Sequence, residues 1–234
     1  MNEKQDTGFQ ALLSSAGTNR QTQRPGQSLV EFAILLPLLL MMLSGLIEFG
    51  FALNVYLDLV DVSREVARFS ADDDPIHDDA SGVFEDFNEQ FYLRAANMAA
   101  YTLGQAGQVT LDPNADDLVV SVFTVEDSGG TPVVTNRYPS QFNDDRGECA
   151  GHLNGGDDLG WRLNCKHPSK FHIADVNSRL ATMGSSGPPD TGLVLVELFY
   201  DYHMVLGLPW IKAFVPDPIT LHAYTFAPNP RAEP

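Results

Sequence analysis

The chain has 234 residues, 31 of them acidic and 14 basic, for a net charge of −17 at neutral pH. An acidic excess of this size excludes a nucleic-acid surface, which needs concentrated Lys and Arg. The length suits one anchored domain, or a helix followed by one domain.

Residues 1–23 are polar, lack sustained periodicity and read as a disordered cytoplasmic leader, the bulk of the segment from Met1 to Gly26. Lys4, Arg20 and Arg24 outnumber Glu3 and Asp6 there, a net of +1. Sixteen uncharged residues then run from Phe32 to Ile47, and the apolar character resumes after Glu48 through Leu57. With the residues from Gln27 in front, about 30 residues form one helix able to cross ~30 Å of hydrocarbon. Positive charge on its N-terminal side and acidic bulk beyond it place the N-terminus in the cytoplasm and the C-terminal part outside. A secretory signal peptide fits poorly, because the apolar core is long, Glu31 interrupts its start and Ser44-Gly45 is a poor cleavage site. An uncleaved anchor and a segment cut after Gly26 both remain open. Glu31 and Glu48 lie inside the apolar region, where an ionised carboxylate is costly and needs a partner.

Gly26 ends the polar leader, Glu31 follows five residues later and the aromatic Phe32 comes next. This arrangement resembles the processing site of type IV prepilins, and Glu31-Phe32 resembles the Glu-aromatic signature of the Flp/Tad subgroup. The stretch from Gly26 through Leu40, Pro37 included, is similar to the opening of the TadE-like pilus assembly proteins, and Val62 through Arg68 resembles the end of that family's long helix. The resemblance covers residues 24 to 70 and returns weakly in 193–202 and 219–224. It implies a pseudopilin-like minor component with a structural, non-enzymatic role in a Tad-type pilus or related secretion machine. It also implies cleavage between Gly26 and Gln27 by a prepilin peptidase. Assembly would involve Glu31, Phe32 and Pro37, with Glu31 engaging the N-terminal amine of a neighbouring subunit. The implied partners are membrane lipid, other pilin-like subunits and the Tad assembly platform. The implied location is a single pass through the inner membrane, or the pilus itself. The rival reading is an uncleaved, membrane-anchored extracellular module whose acidic loops bind a cation or ligand.

The expected fold class is α+β, organised as a leader (1–26), a long helix (27–70) and an extracytoplasmic domain (71–234) with an irregular insertion at about 136–190. The helix is kinked at Pro37. Past Leu57 it turns amphipathic, with Val55, Leu59, Val62, Val66 and Phe69 at three- and four-residue steps. Glu65 and Arg68 are spaced to pair. Pro75 ends the helix within an acidic run, Asp72 to Asp79, that reads as a solvated loop or a divalent-cation site. A second amphipathic helix spans Phe84 to Leu103, with Gly104 as its stop. Strand patterns follow at 108–111, 118–125 and 132–135, the last two joined by a turn at 127–130. Asp112 to Asp117 begins like a calcium loop but has Asp117 where Gly is required and Phe123 where Glu is required, so it reads as a turn.

Cys149 and Cys165 form a disulfide, a zinc site with His152 and His167, or free thiols. A short helix is expected over Ile173 to Met183, then an apolar strand over Gly192 to Val205. Of that strand's faces, Val194, Val196, Leu198, Tyr200 and Tyr202 make the better core side; Leu193, Leu195, Glu197, Phe199 and Asp201 share the other. The apolar segment from Leu206 to Val215 is too short to span a bilayer. It reads as core or loop, or as a patch meeting the membrane surface or a partner through Trp210 and Phe214. A final strand covers Pro218 to Phe226. No phosphate-binding loop, nucleophile elbow or zinc-protease motif occurs, and no cofactor is implied.

Overall fold

The computed structural model describes residues 27–76, 88–106, 109–139, 160–183 and 191–232. The architecture is α+β. Helix α1 runs Gln27–Ser70 with Pro37 inside it, and α2 runs Glu89–Ala106. Strands β1 (Asp117–Asp127), β2 (Pro132–Tyr138) and β3 (Trp161–Arg162) precede helix α3 (Ile173–Met183). Strand β4 (Gly192–Tyr202), the single-turn helix α4 (Pro209–Lys212) and β5 (Ile219–Asn229) complete the order. The chain divides into two compact units between Leu43 and Ser44.

The sheet lies in the second unit and is antiparallel, in the order β2-β1-β4-β5. Strand β3 shares the β2 edge of β1, pairing Val119 and Val120 with Arg162 and Trp161. Both faces of the sheet are covered. On one, Leu118, Val120, Val122, Val194, Val196 and Leu198 meet Leu59, Val62 and Val66 of α1 and Phe91, Tyr92, Ala95 and Leu103 of α2. On the other, Phe123, Val125, Val134 and Leu195 pack with Phe171 and with Val176 and Leu180 of α3. A strand buried on both faces loses the apolar-polar alternation that one-sided strands show, which is why β1 is apolar on both faces from Leu118 to Val125 apart from Ser121 and Thr124.

Several expectations change in detail. Phe69 is 42% exposed, while Ser63 on the same helix is buried and bonds Thr225 of β5 through their hydroxyls at 2.8 Å. Helix α2 begins at Glu89, where the Asn88 side chain accepts the Phe91 N–H, a cap of the Asx type. It passes Gly104 to end at Ala106; Phe84 and Phe87 lie outside the described residues. Residues 109–112 are not a strand. The Asp112–Asp117 segment is a turn whose carboxylates accept backbone N–H groups: Asp112 from Asn114, Asp116 from Asp112 and Asp201. Burial pushes the Asp116 carboxyl up despite those donors.

Glu197 departs furthest from its expected surroundings, being fully buried on the face that seemed the less apolar. The 163–172 segment folds over that face and supplies its partners. The carboxylate accepts from the Ser169 hydroxyl and from the Lys170 N–H, and His222 Nε2 lies 3.0 Å away. The same segment is pinned by Asp117, which accepts the N–H groups of Asn164, Lys166 and His167 at 2.9, 2.7 and 3.0 Å. The Asp117→Ala chain therefore leaves three part-buried backbone donors without their acceptor, at no more than about 1–3 kcal/mol for each unmet group. Thermal melts of the detergent-solubilised chain should show a clear loss of stability, and an unchanged midpoint contradicts the assignment.

Candidate functional site

From Ser28 to Leu43 every residue of α1 is exposed, including Leu29, Ile34, Leu40 and Met42 at 69, 68, 53 and 68%. An amphipathic helix shields one stripe against a core; this segment is apolar all round and shields none. The helix is long and apolar enough to cross a membrane, and its most apolar stretch is not buried. Glu31, Phe32 and Pro37 all lie on this exposed stretch. Gln27 is the first residue of α1, and Gly26 lies outside the described residues.

The second carboxylate of the apolar run behaves differently. Glu48 is only 5% exposed, while its neighbours Leu46, Ile47 and Phe49 are 68, 43 and 63% exposed. Its Oε1 accepts the Tyr202 hydroxyl at 2.7 Å and the Val205 N–H at 2.8 Å, and its Oε2 accepts the Leu206 N–H at 2.8 Å. Successive backbone N–H groups turned toward one anion form a nest that satisfies charge without a cation. Gly207 makes the turn that follows, at φ 53°, a conformation that favours glycine. Burial and the adjacent Glu48 carboxylate push the Tyr202 phenol well above its ordinary range, so it stays protonated and keeps donating.

Glu48 thus holds the connection between β4 and β5, two strands paired along their whole length from Gly192–Asn229 to Tyr202–Ile219. A connection this long needs fixing, and two further contacts help. Trp210 Nε1–H donates to Ser44 Oγ at 3.2 Å, one turn before Glu48. Asp217 accepts the Met204 N–H at 3.2 Å and pairs with Lys212 Nζ at 2.6 Å. The Lys212 ammonium holds the Asp217 carboxyl below its ordinary range.

The remaining candidates are placed as follows. Cys165 is disulfide-bonded and sits at φ 57° in the loop pinned by Asp117; Cys149 lies outside the described residues, as does His152. His167 puts Nε2 3.0 Å from the Ala115 carbonyl and stacks on Phe199. In the acidic run, Asp73 pairs with Arg94 at 2.7 Å, and Asp74 accepts the Ile76 N–H; His77, Asp78 and Asp79 lie outside the described residues. No group of three or more potential metal ligands occurs among the described residues. The role of Glu48 is the residue-level feature that sequence reasoning missed. Its signal was a lone charge in an apolar run, but its partners lie more than 150 positions away.

The TadE-like protein family model matches residues 26–68. No curated protein and no solved structure matches the chain. The matched segment begins at Gly26 and includes Glu31, Phe32, Pro37 and Glu48, and it points to a Tad pilus-related protein.

Replacing Glu48 by Ala removes the acceptor of three donors and is expected to cost about 1–3 kcal/mol of local stability in the β4–β5 connection. Hydrogen exchange at Val205 and Leu206 should accelerate while the β1 amides keep their protection; equal protection in both chains contradicts the clasp. The Lys212–Asp217 pair adds a pH dependence. Its contribution is complete above the ordinary carboxyl value of 3.8 and disappears as pH falls through the lower folded value. Protease nicking of the connection should accordingly be flat from neutral pH down to about 5 and rise only below about 4.

Proposed function

We propose that the chain is a minor pseudopilin of a Tad-type pilus or related secretion machine, acting structurally and not as an enzyme. The observation that carries this reading is the exposed, all-round apolar helix that coincides with the TadE-like match beginning at Gly26. A helix of this kind finds its partners in lipid or among other such helices. In this reading a prepilin peptidase cleaves after Gly26 and leaves Gln27 with a new α-amine. The leader lies in the cytoplasm, α1 crosses the inner membrane once, and the domain that follows is extracytoplasmic.

Glu31 then has a defined task. A carboxylate in low dielectric is tolerated when a cation neutralises it, and the α-amine of Gln27 on a neighbouring subunit supplies that cation. Phe32 and Pro37 flank it on the surface that meets other pilin-like subunits and the assembly platform. The opposing idea of an anchored module with cation-binding loops draws less support. Asp74, Asp112, Asp116 and Asp117 are already accepting backbone N–H groups, and Asp73 is paired with Arg94.

Intact mass and terminal-peptide sequencing of the protein from its native membrane should find a chain beginning at Gln27; one beginning at Met1 overturns the processing step. The Glu31→Ala chain should be cleaved and retained in the membrane yet fail to enter pili. Normal incorporation of that variant removes the role given to Glu31.

A further inference from the structure

The β4–β5 connection carries large apolar side chains that no core absorbs. Phe214 is 85% exposed, Val205 62% and Trp210 39%. No residue of α4 is buried. The connection is also neutral by the standard of this chain: between Tyr202 and Asp217 there is no carboxylate, in a protein with a net charge of −17. Its apolar residues adjoin those of α1, because Glu48 binds Val205 and Leu206 and Ser44 binds Trp210. On that stretch of α1, Leu46, Ile47 and Phe49 are exposed as well. Exposed apolar surface of this continuity marks a contact.

Depth decides what covers it. Between Arg24 and Ser44 the helix offers residues 27 to 43, about 25 Å at the helical rise, which falls short of ~30 Å of hydrocarbon. The hydrocarbon boundary therefore falls at or beyond Ser44, the level at which Trp210 is tied. Aromatic residues with a polar edge favour this boundary, where the ring is sheltered and the N–H reaches a partner.

We propose that the β4–β5 connection is a second, peripheral membrane contact, with Trp210 and Phe214 entering the headgroup layer of the bilayer that α1 crosses. The contact fixes the height of the domain above the membrane, since Glu48 couples the connection to the helix. It rests on the anchoring part of the proposed function and is independent of processing and pilus assembly.

The full chain is reconstituted in phosphatidylethanolamine–phosphatidylglycerol vesicles whose acyl chains carry bromine near the headgroup end. The chain has two tryptophans, and Trp161 is buried in the core at 2% exposure. Subtracting the emission of the Trp210→Phe chain thus isolates Trp210. The expected result is that brominated lipid removes most of the Trp210 emission, aqueous iodide removes little, and Phe214→Asp reverses the order. Trp210 emission quenched by iodide and untouched by brominated lipid overturns the proposal. So does shielding from both quenchers that vanishes when the protein is diluted in lipid, which identifies a second copy as the cover. Vesicle flotation separates the two levels of the argument. A chain that fails to float with lipid has no anchor and no peripheral contact, whereas a floating chain with water-exposed Trp210 keeps its anchor and loses only the contact.

Discussion

A carboxylate placed in the middle of an apolar helix must be neutralised, solvated or satisfied by fixed dipoles, and the position of Glu48 imposes that choice on this protein. The solution is a nest of backbone N–H groups and one phenol, all supplied by the far end of the β4–β5 hairpin. The arrangement ties the helix to the sheet at a point where Leu46, Ile47 and Phe49 of the helix stay exposed and contribute nothing to the core. Toward the C-terminal end of the helix, Leu59, Val62 and Val66 take over with ordinary core packing. At its terminus Asn229 donates to the carbonyls of Ser70 and Asp73, meeting acceptors that a helix end leaves open. The helix is thus joined to the final strands by a charged clasp, an apolar seam and a polar cap in succession.

The acidic composition has a structural use beyond solubility. Asp74, Asp112, Asp116, Asp117, Asp127, Asp175, Glu48 and Glu197 all accept backbone N–H groups in turns and connections. Charge-assisted bonds of this kind are stronger than neutral ones, and they order segments with little apolar content. A domain built this way has many short irregular stretches that hold their shape without contributing to a large core. Of the carboxylates that look like cation ligands in the sequence, Asp74, Asp112, Asp116 and Asp117 are engaged in this internal work.

Much of this was legible in the sequence because it rests on local pattern. The helix from Gln27 to Ser70, the α3 boundaries at Ile173 and Met183, and the Asp127 turn all follow from periodicity and turn chemistry. In that turn Gly129 and Gly130 adopt positive φ, and the Asp127 side chain accepts the Gly130 N–H. What stayed hidden depends on partners distant in the chain. The alternation in β4 picked out the core face of Val194, Val196 and Leu198, but nothing near Glu197 in sequence announces Ser169 and His222, which bury the opposite face. Strand β3 is two residues long and exists only because β1 offers an open edge beside β2. Glu48 was recognisable as a cost but not as a clasp, since a sequence shows a lone charge and not the amides that will surround it.

The separation of Glu48 from its partners has a temporal side. Tyr202 lies 154 residues downstream, and the amides of Val205 and Leu206 follow it. Chains emerge at about 5–20 residues per second, so the helix exists for many seconds before the strands that satisfy its carboxylate have been made. Throughout that interval solvent must satisfy the Glu48 side chain, since an unpaired carboxylate is costly to remove from water. Closing the hairpin then exchanges solvent for protein donors, so the clasp is among the last contacts the chain can make.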